Sequence, residues 1–144
     1  MKAEHKILVA DDNVVMRQAI AFTLRSAGYV VELAEDGWQC LDLYRAAPAD
    51  LVVMDLYMSE KDGLETIVEL RKEFPQAVVI AMSGSRGIHV SHLMLQAAKG
   101  LGAVRSIEKP FKSEELLALV AEELERVRSS GEASRRRAGG AEAV

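Results

Sequence analysis

Four short stretches of this 144-residue chain carry groups that could do chemistry together: Asp11-Asp12, Asp55, Ser83-Gly84-Ser85 and Glu108-Lys109-Pro110. Three carboxylates brought close repel, and one takes up a proton unless a cation neutralises the group. An all-oxygen set suits a hard cation. Mg²⁺ fits, because it keeps several waters and uses one or two carboxylates together with phosphate oxygens. Lys109 and the Ser83 hydroxyl then have a task, holding phosphate-like oxygens during phosphoryl transfer. Asp55 is the expected nucleophile, forming an acyl phosphate. It directly follows Leu51-Val52-Val53-Met54, and an acid after such an apolar run is costly to desolvate and needs a partner. Singly, the other groups have plainer explanations: Asp11-Asp12 as a helix cap, Ser83-Gly84-Ser85 as a loop, Lys109-Pro110 as chain punctuation. Their convergence carries the signal.

Convergence requires elements that end at one rim. Five short apolar runs read as strands: Lys6 to Ala10, Val30 to Ala34, Leu51 to Asp55, Val78 to Met82 and Val104 to Ile107. Three of them, the first, third and fourth, show no alternation of apolar and polar residues, as expected of strands buried on both faces of a parallel sheet. Helical spacing fills the intervals: Met16, Ile20, Leu24 and Ala27; about Gly37 to Ala46; Leu64, Ile67, Leu70 and Phe74; about Ile88 to Lys99; and a fifth helix opened by Ser113-Glu114-Glu115 that turns Leu116, Val120 and Leu124 inward. Gly28, Pro48 and Pro75 stand where the first three end. This alternation predicts an α/β fold, a doubly wound five-stranded parallel sheet with five helices. Such sheets bind ligands beyond the carboxyl ends of their strands, where all four stretches fall.

At 49% hydrophobic residues, the chain can bury one core. The net charge of −4 lacks the basic footprint of a protein that grips a nucleic-acid backbone. The single cysteine, Cys40, cannot form an internal disulfide and is expected in the core, and no Cys/His cluster has zinc spacing. No secretory leader opens the chain and no apolar run approaches the roughly 20 residues of a membrane span, so a cytoplasmic protein with no membrane role is expected. Residues 129–144, rich in Ser, Gly, Ala, Glu and Arg and including Arg135-Arg136-Arg137, show no apolar period and are expected to be a disordered tail after a domain over 1–128. His5, His89 and His92 are read as surface residues.

Over Lys6 to Val127 the chain resembles the receiver domain of two-component response regulators. Asp11-Asp12, Asp55-Leu56-Tyr57-Met58 with Asp62-Gly63, Met82-Ser83-Gly84 and Lys109-Pro110-Phe111 carry the likeness. The resemblance implies the flavodoxin-like strand order 2-1-3-4-5 and a Mg²⁺ site of Asp12, Asp55 and the Tyr57 backbone carbonyl, with Asp11 helping through water. It implies that Asp55 takes a phosphoryl group from a sensor histidine kinase or histidine phosphotransfer protein, that Lys109 pairs with it, and that Ser83 moves toward it. The Lys109-Pro110 bond is expected to be cis. With no output domain expected and no DNA-binding domain, the stand-alone receiver would signal by protein-protein contact through the fourth and fifth helices, and it would not be an enzyme acting on external substrates.

Three positions depart from the family pattern. Ser106 replaces the usual aromatic residue three places before the lysine, so switching is expected to run through the loop after Ser83 and the fourth helix. Ser59 and Lys61 replace a frequent proline and an apolar residue, which predicts a looser loop after Asp55. Tyr57, two places beyond Asp55, is expected to slow loss of phosphate. Two rivals follow: a phosphorylation-independent binding module on the same fold, and a phosphohydrolase with an aspartyl nucleophile. The four retained polar residues, Asp12, Asp55, Ser83 and Lys109, argue against the first. Tyr57, standing where such hydrolases place a second acid, argues against the other.

Overall fold

The computed structural model describes residues 4–84 and 88–142, with side chains described outside 88–91 and 132–142. Strands and helices alternate along the chain: β1 (Lys6–Ala10), α1 (Val14–Ser26), β2 (Val30–Ala34), α2 (Gly37–Ala46), β3 (Leu51–Asp55), α3 (Gly63–Glu73), β4 (Val79–Ser83), α4 (Ile88–Leu101), β5 (Arg105–Glu108) and α5 (Ser113–Glu142). All ladder pairs are parallel and the sheet order is β2-β1-β3-β4-β5, as the resemblance implied.

The unalternating apolar strands are buried on both faces. Leu8, Ala10, Val52, Met54 and Ala81 point into one core with Cys40, Leu41 and Tyr44 of α2, Ile67 and Leu70 of α3, and Leu95 and Ala98 of α4. Ile7, Val9, Leu51, Val53, Ile80 and Met82 point the opposite way, against Ile20, Ala21 and Leu24 of α1 and Leu116, Val120 and Leu124 of α5. Each such buried aliphatic side chain contributes roughly 1.5–3 kcal/mol relative to exposure, which fixes the helices on the two faces. Cys40 is fully buried, and burial, with Asp36 nearby, pushes its thiol up to about 12, leaving an inert packing residue.

Local chemistry sets the helix starts. Asn13, Asp36 and Asp62 cap α1, α2 and α3, each side chain accepting from the backbone N–H three residues on. The cap of α1 is therefore Asn13, which leaves both preceding aspartates free of that role. Gly28 takes φ 95° after α1, a conformation that costs glycine little.

Four elements are bounded differently from the sequence reading, among them α4, which runs through Gly100 to Leu101 and does not stop at Lys99. β4 and β5 each start and end one residue later than expected, because Ser83 and Glu108 extend the ladder as a registered pair. α5 was expected to end near Val127 with a disordered tail over 129–144, but the helix continues to Glu142 and carries the Arg135-Arg136-Arg137 segment. The Ala, Glu and Arg residues of the segment favour helix, while Gly131, Gly139 and Gly140 oppose it. No helix among the described residues is long and apolar enough to cross a membrane.

Candidate functional site

Strand order reverses between β1 and β3, which are neighbours in the sheet but not in the chain, and a crevice opens beyond their carboxyl ends. Asp11 and Asp12 leave β1 into this crevice, and Asp55 ends β3, the central strand paired to β1 and β4. One carboxylate oxygen from each of Asp11, Asp12 and Asp55 lies within 4.8 Å of the other two. Asp11 is fully buried and Asp55 nearly so, whereas Asp12 stands at the solvent side. This all-oxygen set, open on one side, suits Mg²⁺ with its retained waters.

Lys109 closes the opposite side. Its Nζ donates to Asp11 Oδ2 at 2.8 Å and stands 3.3 Å from Asp55 Oδ2. Two features hold it there. The Lys109 N–H donates to the Ser83 carbonyl at 2.7 Å, and a Cβ on Gly84 would come within 2.4 Å of the Lys109 carbonyl oxygen, so only glycine lets the end of β4 approach. The Lys109-Pro110 bond is cis, as expected. Ser83 Oγ is buried and has no hydrogen-bond partner among the described residues, a donor left free at the rim. Ser85 lies outside the described residues.

Burial raises the Asp55 carboxyl to about 6, with neighbouring Asp11 pushing the same way. The Lys109 ammonium and the Tyr57 N–H, which donates to Asp55 Oδ1 at 3.2 Å, pull against that rise. A carboxylate that is costly to ionise gains most from an added cation. Gly63, at the start of α3, lies so close to this strand end that a Cβ would sit 2.4 Å from the Asp55 carbonyl oxygen.

The loop after Asp55 is not loose, contrary to the expectation from Ser59 and Lys61. The Ser59 N–H donates to Asp12 Oδ2 at 2.9 Å. Lys61 is buried, donates to Glu69 Oε1 at 2.7 Å, and lies over the Trp38 ring at 4.3 Å from its centroid. Its carbonyl accepts from the Gly37 N–H at 3.2 Å. A long aliphatic stem lets a lysine take an apolar place while its ammonium finds a carboxylate.

Sequence reasoning missed Arg17. It is buried on α1, and its Nη1 donates to the Asp11 carbonyl at 2.7 Å, anchoring the turn that presents both aspartates. The signal was present: Arg17 lies three and four residues before Ile20 and Ala21 on the inward face of α1. His5 and His92 stay away from the crevice, His5 facing Asp50 at 3.7 Å and His92 pairing with Gln96. The side chain of His89 lies outside the described residues.

Residues 7–121 match the family described as the response regulator receiver domain. The response regulator MprA of Mycolicibacterium vanbaalenii is 36% identical over 113 residues, which is 78% of this chain and 47% of MprA. The solved receiver domain of NtrX from Brucella abortus superposes with TM-score 0.77 at 31% identity, covering 83% of this chain and 98% of that one. A CheY-like receiver domain protein from Methanospirillum hungatei shares the fold, with TM-score 0.81 at 22% identity over 89% of this chain and 99% of its own. The chain spans about half the length of the curated relatives it matches.

Proposed function

The chain belongs to the response regulator receiver family of two-component systems, a family of signalling domains and not of classical enzymes, and from that premise we propose that Asp55 is its phosphoacceptor. The observation that carries this reading is the placement of Lys109 Nζ 3.3 Å from Asp55 Oδ2, in a crevice where Asp11 and Asp12 also converge. An Asp55 oxygen attacks the phosphorus of a phosphohistidine on a sensor kinase or histidine phosphotransfer protein. The P–N bond breaks, the imidazole leaves with the electron pair, and an acyl phosphate forms. Lys109 exchanges part of its contact with Asp11 for a phosphoryl oxygen, and Ser83 Oγ donates to another. Asp12, Asp55 and the Tyr57 carbonyl would hold Mg²⁺, with Asp11 acting through water, and the ion supplies positive charge against the carboxylates and the transferring phosphoryl oxygens.

Output is read as contact with a partner protein through α4 and α5, supported by the exposed apolar Leu93 and Leu101 on α4. Cytoplasmic placement belongs to the same reading. The stand-alone arrangement without a DNA-binding domain is tested separately, by the intact mass of the protein isolated from its own cells.

Acetyl phosphate with Mg²⁺ is the direct test of the phosphoacceptor. Intact mass spectrometry should show one added phosphoryl group on the wild type and none on Asp55→Asn. Equal labelling of the two proteins would sink the assignment.

A further inference from the structure

The loop from Ser59 to Lys61 joins two features that have no direct contact. At one end, the Ser59 N–H is held by Asp12 Oδ2 at 2.9 Å, across 47 positions of sequence. At the other, Lys61 is locked against the α2–α3 face: its carbonyl accepts from the Gly37 N–H, its ammonium pairs with Glu69, and the same ammonium lies over the Trp38 ring. Between them Glu60 has φ 65°, a left-handed conformation that a side-chain-bearing residue adopts only when its neighbours impose it.

The start of α2 cannot yield independently. A Cβ on Gly37 would meet Thr66 Oγ1 at 2.0 Å and the Lys61 carbonyl at 2.9 Å, so α2 abuts this loop and α3 without slack. Trp38 is 55% exposed, so its ring reports to the surface whatever the loop does beneath it.

We propose that the Ser59–Lys61 loop is a mechanical link from Asp12 to Trp38, by which engagement of the acidic crevice is displayed on the α2–α3 face. A cation bound by Asp12 draws on the same carboxylate that now accepts from Ser59, and it repels the positive end of that N–H dipole. With one of its two restraints weakened, Glu60 relaxes out of the left-handed region, and Lys61 shifts beneath the ring. The two arrangements of the loop differ in what Asp12 contacts, which is the differential interaction a ligand needs in order to shift a population.

Trp38 is the single tryptophan of the chain, so its emission reads the link directly. Only the Mg²⁺ arm of the experiment rests on the proposed metal site; the Asp12→Ala arm does not. In the wild type, titration with MgCl₂ should change Trp38 emission along the same curve as the calorimetric binding heat. Metal-free Asp12→Ala, with its fold checked by far-ultraviolet circular dichroism, should already emit as the loaded wild type does, and should lose the response to MgCl₂. Lys61→Met should still bind Mg²⁺ by calorimetry and show no emission response. Calorimetric binding with silent Trp38 emission would overturn the link and leave the metal site standing. Displaced emission in Asp12→Ala without Mg²⁺ binding to the wild type would support the link and remove the metal site. Asp12→Ala emission equal to that of the metal-free wild type would overturn the link.

Discussion

Replacing Asp55 by asparagine should stabilise the metal-free protein, although it removes the group on which the proposed chemistry depends. In the folded chain the Asp55 carboxyl is held at about 6 against an ordinary 3.8, chiefly by burial. At about 1.4 kcal/mol per pH unit, its ionisation costs the fold about 3 kcal/mol at neutral pH. The folded state binds this proton more tightly than the unfolded chain does. Stability is therefore lost as pH rises from about 4 to about 6, the reverse of an ion-paired acid. Asparagine keeps an oxygen for the Tyr57 N–H but turns an amide toward Lys109, so about 3 kcal/mol is a ceiling. For a chain of this size that ceiling corresponds to about 10 °C in Tm. The assay is thermal unfolding of wild type and Asp55→Asn in a metal chelator at about pH 7.5 and again at about pH 4.5. The gap should shrink to about 1 kcal/mol at the lower pH, where the wild-type carboxyl is protonated in the fold. Added Mg²⁺ should close most of it at the higher pH by stabilising the wild type. Equal stability at about pH 7.5, or a gap that does not shrink with acid, would refute the reasoning.

Three further outcomes follow from the same geometry. Lys109→Met leaves the buried Asp11 without its 2.8 Å ammonium partner and should cost on the order of 3 kcal/mol in denaturant unfolding at neutral pH, the usual scale for breaking a buried pair. Gly63→Ala forces a Cβ against the Asp55 carbonyl, a backbone clash that should cost about 3 kcal/mol and lower the phosphorylation rate with acetyl phosphate. Tyr57→Asn replaces a half-buried side chain two places beyond the acceptor and should shorten the acyl-phosphate lifetime, followed by loss of radiolabel. An unchanged or longer lifetime would show that the ring does not shield the phosphoryl group.

The sheet and the positions of the site groups were legible because both depend on short-range pattern. Leu51-Val52-Val53-Met54 marks a strand buried on both sides, and the acid that follows must lie at its end. The bounds of α2 were matched because Asp36 caps it and Pro48 follows. What stayed hidden depends on side chains crossing between elements. Lys61, standing where an apolar residue is common, predicted a looser loop, and is a buried brace only through Trp38 and Glu69, residues of two different helices. The Ser59 to Asp12 hydrogen bond has no local signature at all. Arg17 had one, its place three and four residues before Ile20 and Ala21 on the inward face of α1.

The two cores never mix: one gathers α2, α3 and α4, the other α1 and α5, with the sheet between them. Between them lies a layer of strand backbone in which Val52, Val53 and Met54 of β3 are registered with neighbours on both sides. Substitutions in opposite layers should accordingly add with little epistasis, as expected for distant sites without shared partners. One flank of the molecule can then be repacked without disturbing the other, leaving the acidic rim where the flanks meet as it is.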